Sequence, residues 1–99
     1  MVISEIPLSA KNQKFRIKLN SNFYYLKFVF LGRWFISISN ELDQPLINSL
    51  PLVTGINLLE QHQHLIKGSF IVVNNNEDES QSFGDLGTVI RLYWSDPDE

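Results

Sequence analysis

The stretch FRIKLNSNFYYLKFVFLGRWFISIS, Phe15 to Ser39, decides the fold. Its first segment, Phe15-Arg16-Ile17-Lys18-Leu19, alternates apolar and basic residues, the period of a half-buried strand with Phe15, Ile17 and Leu19 inward. Its last segment, Trp34-Phe35-Ile36-Ser37-Ile38-Ser39, alternates in the same way, with Trp34, Ile36 and Ile38 inward. Between them, Phe23 to Leu31 is apolar on both faces except at Lys27, so it is either a central strand or one whose second face meets a partner. Asn20-Ser21-Asn22 and Gly32-Arg33 are short turn signals, so the three strands read as an antiparallel meander.

Outward from this meander the pattern loosens. Asn40 to Pro45 is turn-rich, Leu46-Ile47 suits a short strand, and Ser49 to Val53 is extended because the residue before Pro51 is pushed out of the helical region. Asn57-Leu58-Leu59-Glu60 reads as a helix start with Asn57 near the N-cap and Glu60 three residues on. Ser69 to Val73 is a further strand, apolar on both faces, and Val89 to Trp94 is the last. Phe83 to Thr88 is a compact turn segment between them. The acidic loop 74–82 has no core-forming residue and is expected to be mobile or to dock on something, and the charged tail 95–99 to fray. The whole chain, 1–99, reads as a single all-β domain: a small antiparallel β-barrel or sandwich of five or six strands with one short helical turn. Seven Phe, three Tyr and two Trp can fill its core. The expected core is Phe15, Ile17, Leu19, Trp34, Ile36, Ile38, Val72 and Leu92. Gly55 and Gly87, each beside a threonine, are expected to serve turn geometry.

Composition excludes several classes of function. The absence of Cys rules out a disulfide framework and a thiolate metal site. The N-terminal segment lacks the basic and apolar regions of a signal peptide, and Phe23 to Leu31 is too short to span a bilayer as a helix. His62 and His64 form a His-x-His pair without a completing ligand set, so no metal or other cofactor is expected. Ser37, Ser39, His62 and Asp85 do not form a recognisable nucleophile–base set, and Glu77-Asp78-Glu79 lacks the spacing of a calcium loop. The scattered glycines Gly68, Gly84 and Gly87 make no phosphate cradle, so an enzyme is not expected.

Charge is unevenly distributed on a net of −3. Lys11, Lys14, Arg16, Lys18, Lys27 and Arg33 occur with no acid among them, whereas ten acids follow from Glu41 onward against Lys67 and Arg91. A basic segment with interleaved aromatics could bind nucleic acid, but the overall acidity and the opposite faces taken by rings and charges weigh against it. The two parts complement each other instead, within the fold or between copies. The candidate interface is the second face of the aromatic strand and its turn: Phe23, Tyr25, Lys27, Val29 and Arg33.

The order of segments resembles the small baseplate plug family of contractile-tailed bacteriophages and prophages. The resemblance is carried by Ile6-Pro7-Leu8, the Phe15–Leu19 strand, Trp34-Phe35-Ile36-Ser37-Ile38, Leu50-Pro51-Leu52-Val53-Thr54-Gly55-Ile56-Asn57-Leu58-Leu59, and Asp85-Leu86-Gly87-Thr88-Val89-Ile90-Arg91-Leu92-Tyr93-Trp94. It implies a non-enzymatic virion part, made in the bacterial host cytoplasm and placed in the tail baseplate near the hub and the tail-tube end. It further implies that the part closes the lumen before contraction and leaves it during injection. The implied partners are hub or spike and tail-tube proteins; the charge split and the two strands apolar on both faces add the expectation of a homo-oligomer. The alternative class is a small β-barrel binding module for a carbohydrate or single-stranded nucleic acid.

Overall fold

The computed structural model describes residues 3–19, 22–78 and 80–95. Asn20 and Ser21 of the first turn, Glu79 of the acidic loop and residues 96–99 of the expected tail lie outside the described residues. The strands are β1 (Ile3–Ile6), β2 (Gln13–Leu19), β3 (Asn22–Phe30), β4 (Trp34–Ser39), β5 (Pro45–Pro51), β6 (Ser69–Asn74) and β7 (Ile90–Ser95). They form two antiparallel sheets, ordered β2-β3-β4-β5 and β1-β7-β6. The sheets share one core but do not close into a barrel.

The meander forms because each strand carries one apolar face that a neighbour extends. β3 is central and pairs with β2 from Leu19↔Asn22 to Gln13↔Phe28, and with β4 from Tyr25↔Ser39 to Phe30↔Trp34. Directly paired residues share a face. The inner face therefore stacks Leu19, Tyr24, Leu26, Phe28, Trp34, Ile36 and Ile38, all buried, with Phe15 and Ile17 half-buried against them. β5 is an edge strand with a proline at each end, a placement that avoids the missing N–H donor. Its register with β4 shifts between Ile36 and Ile38, and Ser49 lies there at φ 50°.

The second sheet covers this core. Phe70 and Val72 of β6, Ile90, Leu92 and Trp94 of β7, and Ile6 of β1 are buried. Phe70 and Trp94 meet edge to face, with centroids 5.2 Å apart. β1 adds an antiparallel strand beyond the sequence expectation, pairing Ile3↔Ser95 through Ile6↔Leu92. Ser95, read with the tail, is the buried last residue of β7.

Side-chain carboxamides organise the segments without periodic pattern. Asn57 does not cap a helix: the 3-10 turn is Glu60–His62, with Leu59 at its N-cap and no side-chain cap bond. The Asn57 Oδ1 instead accepts hydrogen bonds from the backbone N–H groups of Leu59 and Phe70, so it ties the loop to β6. Gln63 Nε2 donates to the carbonyls of Leu59 and Gly68. A second 3-10 turn, Phe83–Asp85, lies in the compact turn segment and carries a capping box between Ser82 and Asp85. Leu52, Leu58, Leu59, Ile66 and Leu86 from these segments are all buried.

Two glycines are fixed by close approach. At Gly87 (φ 88°) a Cβ would collide with the carbonyl oxygen of Leu8, and at Gly68 (φ 130°) with the Trp94 ring. Gly55 has φ 80° in open space.

Candidate functional site

The outer face of the four-stranded sheet collects four of the chain's eight cations, Lys14, Arg16, Lys18 and Lys27. Cross-strand pairing sets Lys18 beside Phe23, Arg16 beside Tyr25 and Lys14 beside Lys27; Tyr25, Lys27 and Val29 in turn lie beside Ser39, Ser37 and Phe35 of β4. Of the candidate interface residues, Phe23, Lys27 and Arg33 are exposed, while Tyr25 and Val29 are half-buried. Phe23, Tyr25, Lys27 and Val29 lie on this face; Arg33 lies in the β3–β4 turn. Arg16 stacks on the Phe23 ring, 3.9 Å from its centroid, and Lys14 Nζ sits 5.4 Å from the Tyr25 centroid.

The β4–β5 turn partly neutralises this face. Asn40 Oδ1 accepts from the N–H groups of Leu42 and Gln44, and its Nδ2 donates to Gln44 Oε1, which fixes the turn. Asp43, held at φ 61°, then pairs with Lys14 at 2.7 Å, and Glu41 pairs with Arg16 at 3.4 Å. All four side chains remain largely solvated, so these pairs orient the turn more than they stabilise the fold. Among the described residues neither Lys18 nor Lys27 has a carboxylate partner.

The acidic loop sits at the other end of the same sheet. Gln81 Oε1 accepts from Trp34 N–H at 2.7 Å, and Gln81 Nε2 donates to the Leu52 carbonyl at 2.7 Å. Trp34 Nε1 donates to the Ser82 carbonyl. Asn74 and Asn76 both donate to the Ser80 carbonyl, and Asn76 also reaches Asp85. The loop is therefore docked through Gln81 and internally braced, with Glu77 and Asp78 exposed on it. Hydrogen bonds from Ser80, the side chain first and then the backbone, hold the Asp78 carboxyl below its ordinary 3.8.

The outer face of the other sheet is apolar in part: Ile3, Ile71 and Val73 are exposed, with Tyr93 half-buried between them. Arg91 and Glu5 pair there at 3.6 Å. Shallow clefts also lie among the described residues. One of about 190 Å³ is lined by Leu50, Ile56, Asn57, Leu58, Glu60, Gln61 and His62, and one of about 130 Å³ by Arg33, Leu52, Val53, Thr54, Asn74 and Gln81. His62 borders the first cleft and His64 is exposed. Among the described residues no group of three or more His, Asp or Glu is placed to hold a metal, and no helix is long and apolar enough to cross a membrane.

A family model described as "Cyanophage baseplate Pam3 plug gp18" matches residues 3–97. No curated protein matches this chain. The match spans both sheets and every loop described above, and the chain belongs to this baseplate plug family.

Proposed function

We propose that this member of the baseplate plug family is a non-enzymatic structural part of a phage tail baseplate, seated near the hub and the tail-tube end. In this reading it closes the lumen of a contractile tail before contraction and is displaced when the genome leaves. The observation that carries the reading is the family match over residues 3–97. The work is then done by interfaces that hold at rest and yield under load. Many modest contacts suit that task better than one deep apolar one. An exposed face mixing cations, rings and two neutralised pairs is of this kind. Hub or spike and tail-tube proteins are its partners, together with further copies of the chain in a ring.

The binding-module alternative has less support. Among the described residues, the clefts beside Arg33 and His62, about 130 and 190 Å³, fall below the range of roughly 300–1,000 Å³ usual for small-molecule sites, and the sheets do not form a closed barrel.

Mass spectrometry of purified particles tests the reading. The chain should be present in particles, and a stop codon early in its reading frame should yield particles that lose their DNA or their infectivity. Absence of the chain from purified particles, with infectivity unchanged by the stop codon, would overturn it.

A further inference from the structure

Lys27 stands directly opposite Lys14 in the β2–β3 register. Like charges so placed repel. Asp43 relieves Lys14 at 2.7 Å, but among the described residues no carboxylate relieves Lys27. Its neighbours along β3 on this face, Tyr25 and Val29, are half-buried rings and methyls. The face carries Lys14, Arg16, Lys18 and Lys27 against Glu41 and Asp43, an excess of two cations (four minus two). The acids that would complement it, Glu77 and Asp78, lie on the loop docked at the Trp34 end, and neither pairs with a cation among the described residues.

From this segregation we infer that the outer face of β2 and β3 is the seat for the Glu77–Asp78 segment of a second copy of this chain, with Lys27 and Lys18 receiving the two carboxylates. The inference deepens the ring reading above and rests on it. A second copy fits because the complementary charge is on the chain itself, whose net of −3 also disfavours nucleic acid on the face. The Gln81, Asn74 and Asn76 bonds already brace the described residues around Glu77 and Asp78, so little conformational freedom is lost there on docking. Face and loop are different surfaces, so the contact repeated head-to-tail builds a ring or an open filament.

Sedimentation of the full chain across protein concentration at low and high salt tests this. The wild type should self-associate and dissociate as salt rises, since screening acts over about 8–10 Å. Lys27→Glu and Glu77→Lys, both at exposed positions, should each weaken association at least tenfold, and an equimolar mixture of the two should restore it. Lys11→Glu, outside the strand face, should behave as wild type. A wild type that stays monomeric, a mixture that stays dissociated, or equal weakening by Lys11→Glu would overturn the inference. Binding of an oligonucleotide or of a tail-tube protein to the monomer through Lys27 would overturn it as well. A monomeric wild type that is nevertheless found in particles would sink this contact alone and leave the baseplate placement standing.

Discussion

Gln81 takes the place of a backbone peptide beside Trp34: its Oε1 accepts the Trp34 N–H at 2.7 Å while its Nε2 reaches the Leu52 carbonyl at 2.7 Å. Leu52 N–H in turn donates to the Trp34 carbonyl. One side chain thus closes the end of the four-stranded sheet and anchors the acidic loop. Replacing Gln81 by Ala strands two part-buried backbone groups, at a cost of roughly 1–3 kcal/mol. Each kcal/mol corresponds to about 4–8 °C in Tm for a domain of this size. Thermal denaturation followed by circular dichroism checks this, and an unchanged Tm would mean that water replaces the carboxamide without loss.

Trp34 itself is fully buried and contacts both Phe30 and Phe83 edge to face, at 5.3 and 5.5 Å. Trp34→Ala should destabilise by roughly 3–5 kcal/mol. Trp34→Phe should cost less but still lose the indole bond to the Ser82 carbonyl. Urea unfolding of the three proteins gives the order; equal midpoints would remove Trp34 from the core account.

Gly87→Ala meets two penalties, a left-handed backbone costing about 1–2 kcal/mol and a collision with the Leu8 carbonyl. Gly55→Ala meets only the first, because the space around Gly55 is open. The Tm loss at position 87 should therefore exceed that at position 55. The reverse order would contradict the close approach of the Leu8 segment to the β7 entry.

Asp78 offers a pH test of the loop. Because Ser80 lowers its folded-state pKa, the braced loop is favoured above the ordinary value of 3.8 and loses that support as pH falls through the lowered value. Ser80→Ala removes the hydroxyl that chiefly favours the ionised carboxylate and should move the Asp78 titration upward in an NMR pH series. An unmoved titration would show that the hydroxyl is not its partner.

Strands β2 and β4 were legible because each alternates over five or more residues, and β3 because its long apolar run lies between two short turns. Other parts were not legible, for identifiable reasons. β1 has three exposed residues in four and pairs only with the distant β7, so no local pattern marks it. Asn57 and Glu60 have the spacing of a helix cap, yet the competing bond from Asn57 to Phe70 N–H wins because β6 lies alongside. The buried Leu52, Leu59 and Ile66 follow no period, since their segments are shaped by carboxamide bonds rather than by a ladder. Of the candidate surface, the charge split was visible in the sequence. The capture of Lys14 and Arg16 by Asp43 and Glu41 joins the β4–β5 turn to β2, two strands away from β4 in the sheet, and only the fold reveals it.

The most direct measurement is a cryo-electron microscopy reconstruction of the particle tail before and after contraction. The account predicts density for this two-sheet fold across the lumen at the tube end in the extended tail, and its absence from that place in the contracted one. An open lumen in the extended tail, or the same density unmoved after contraction and genome release, would contradict it.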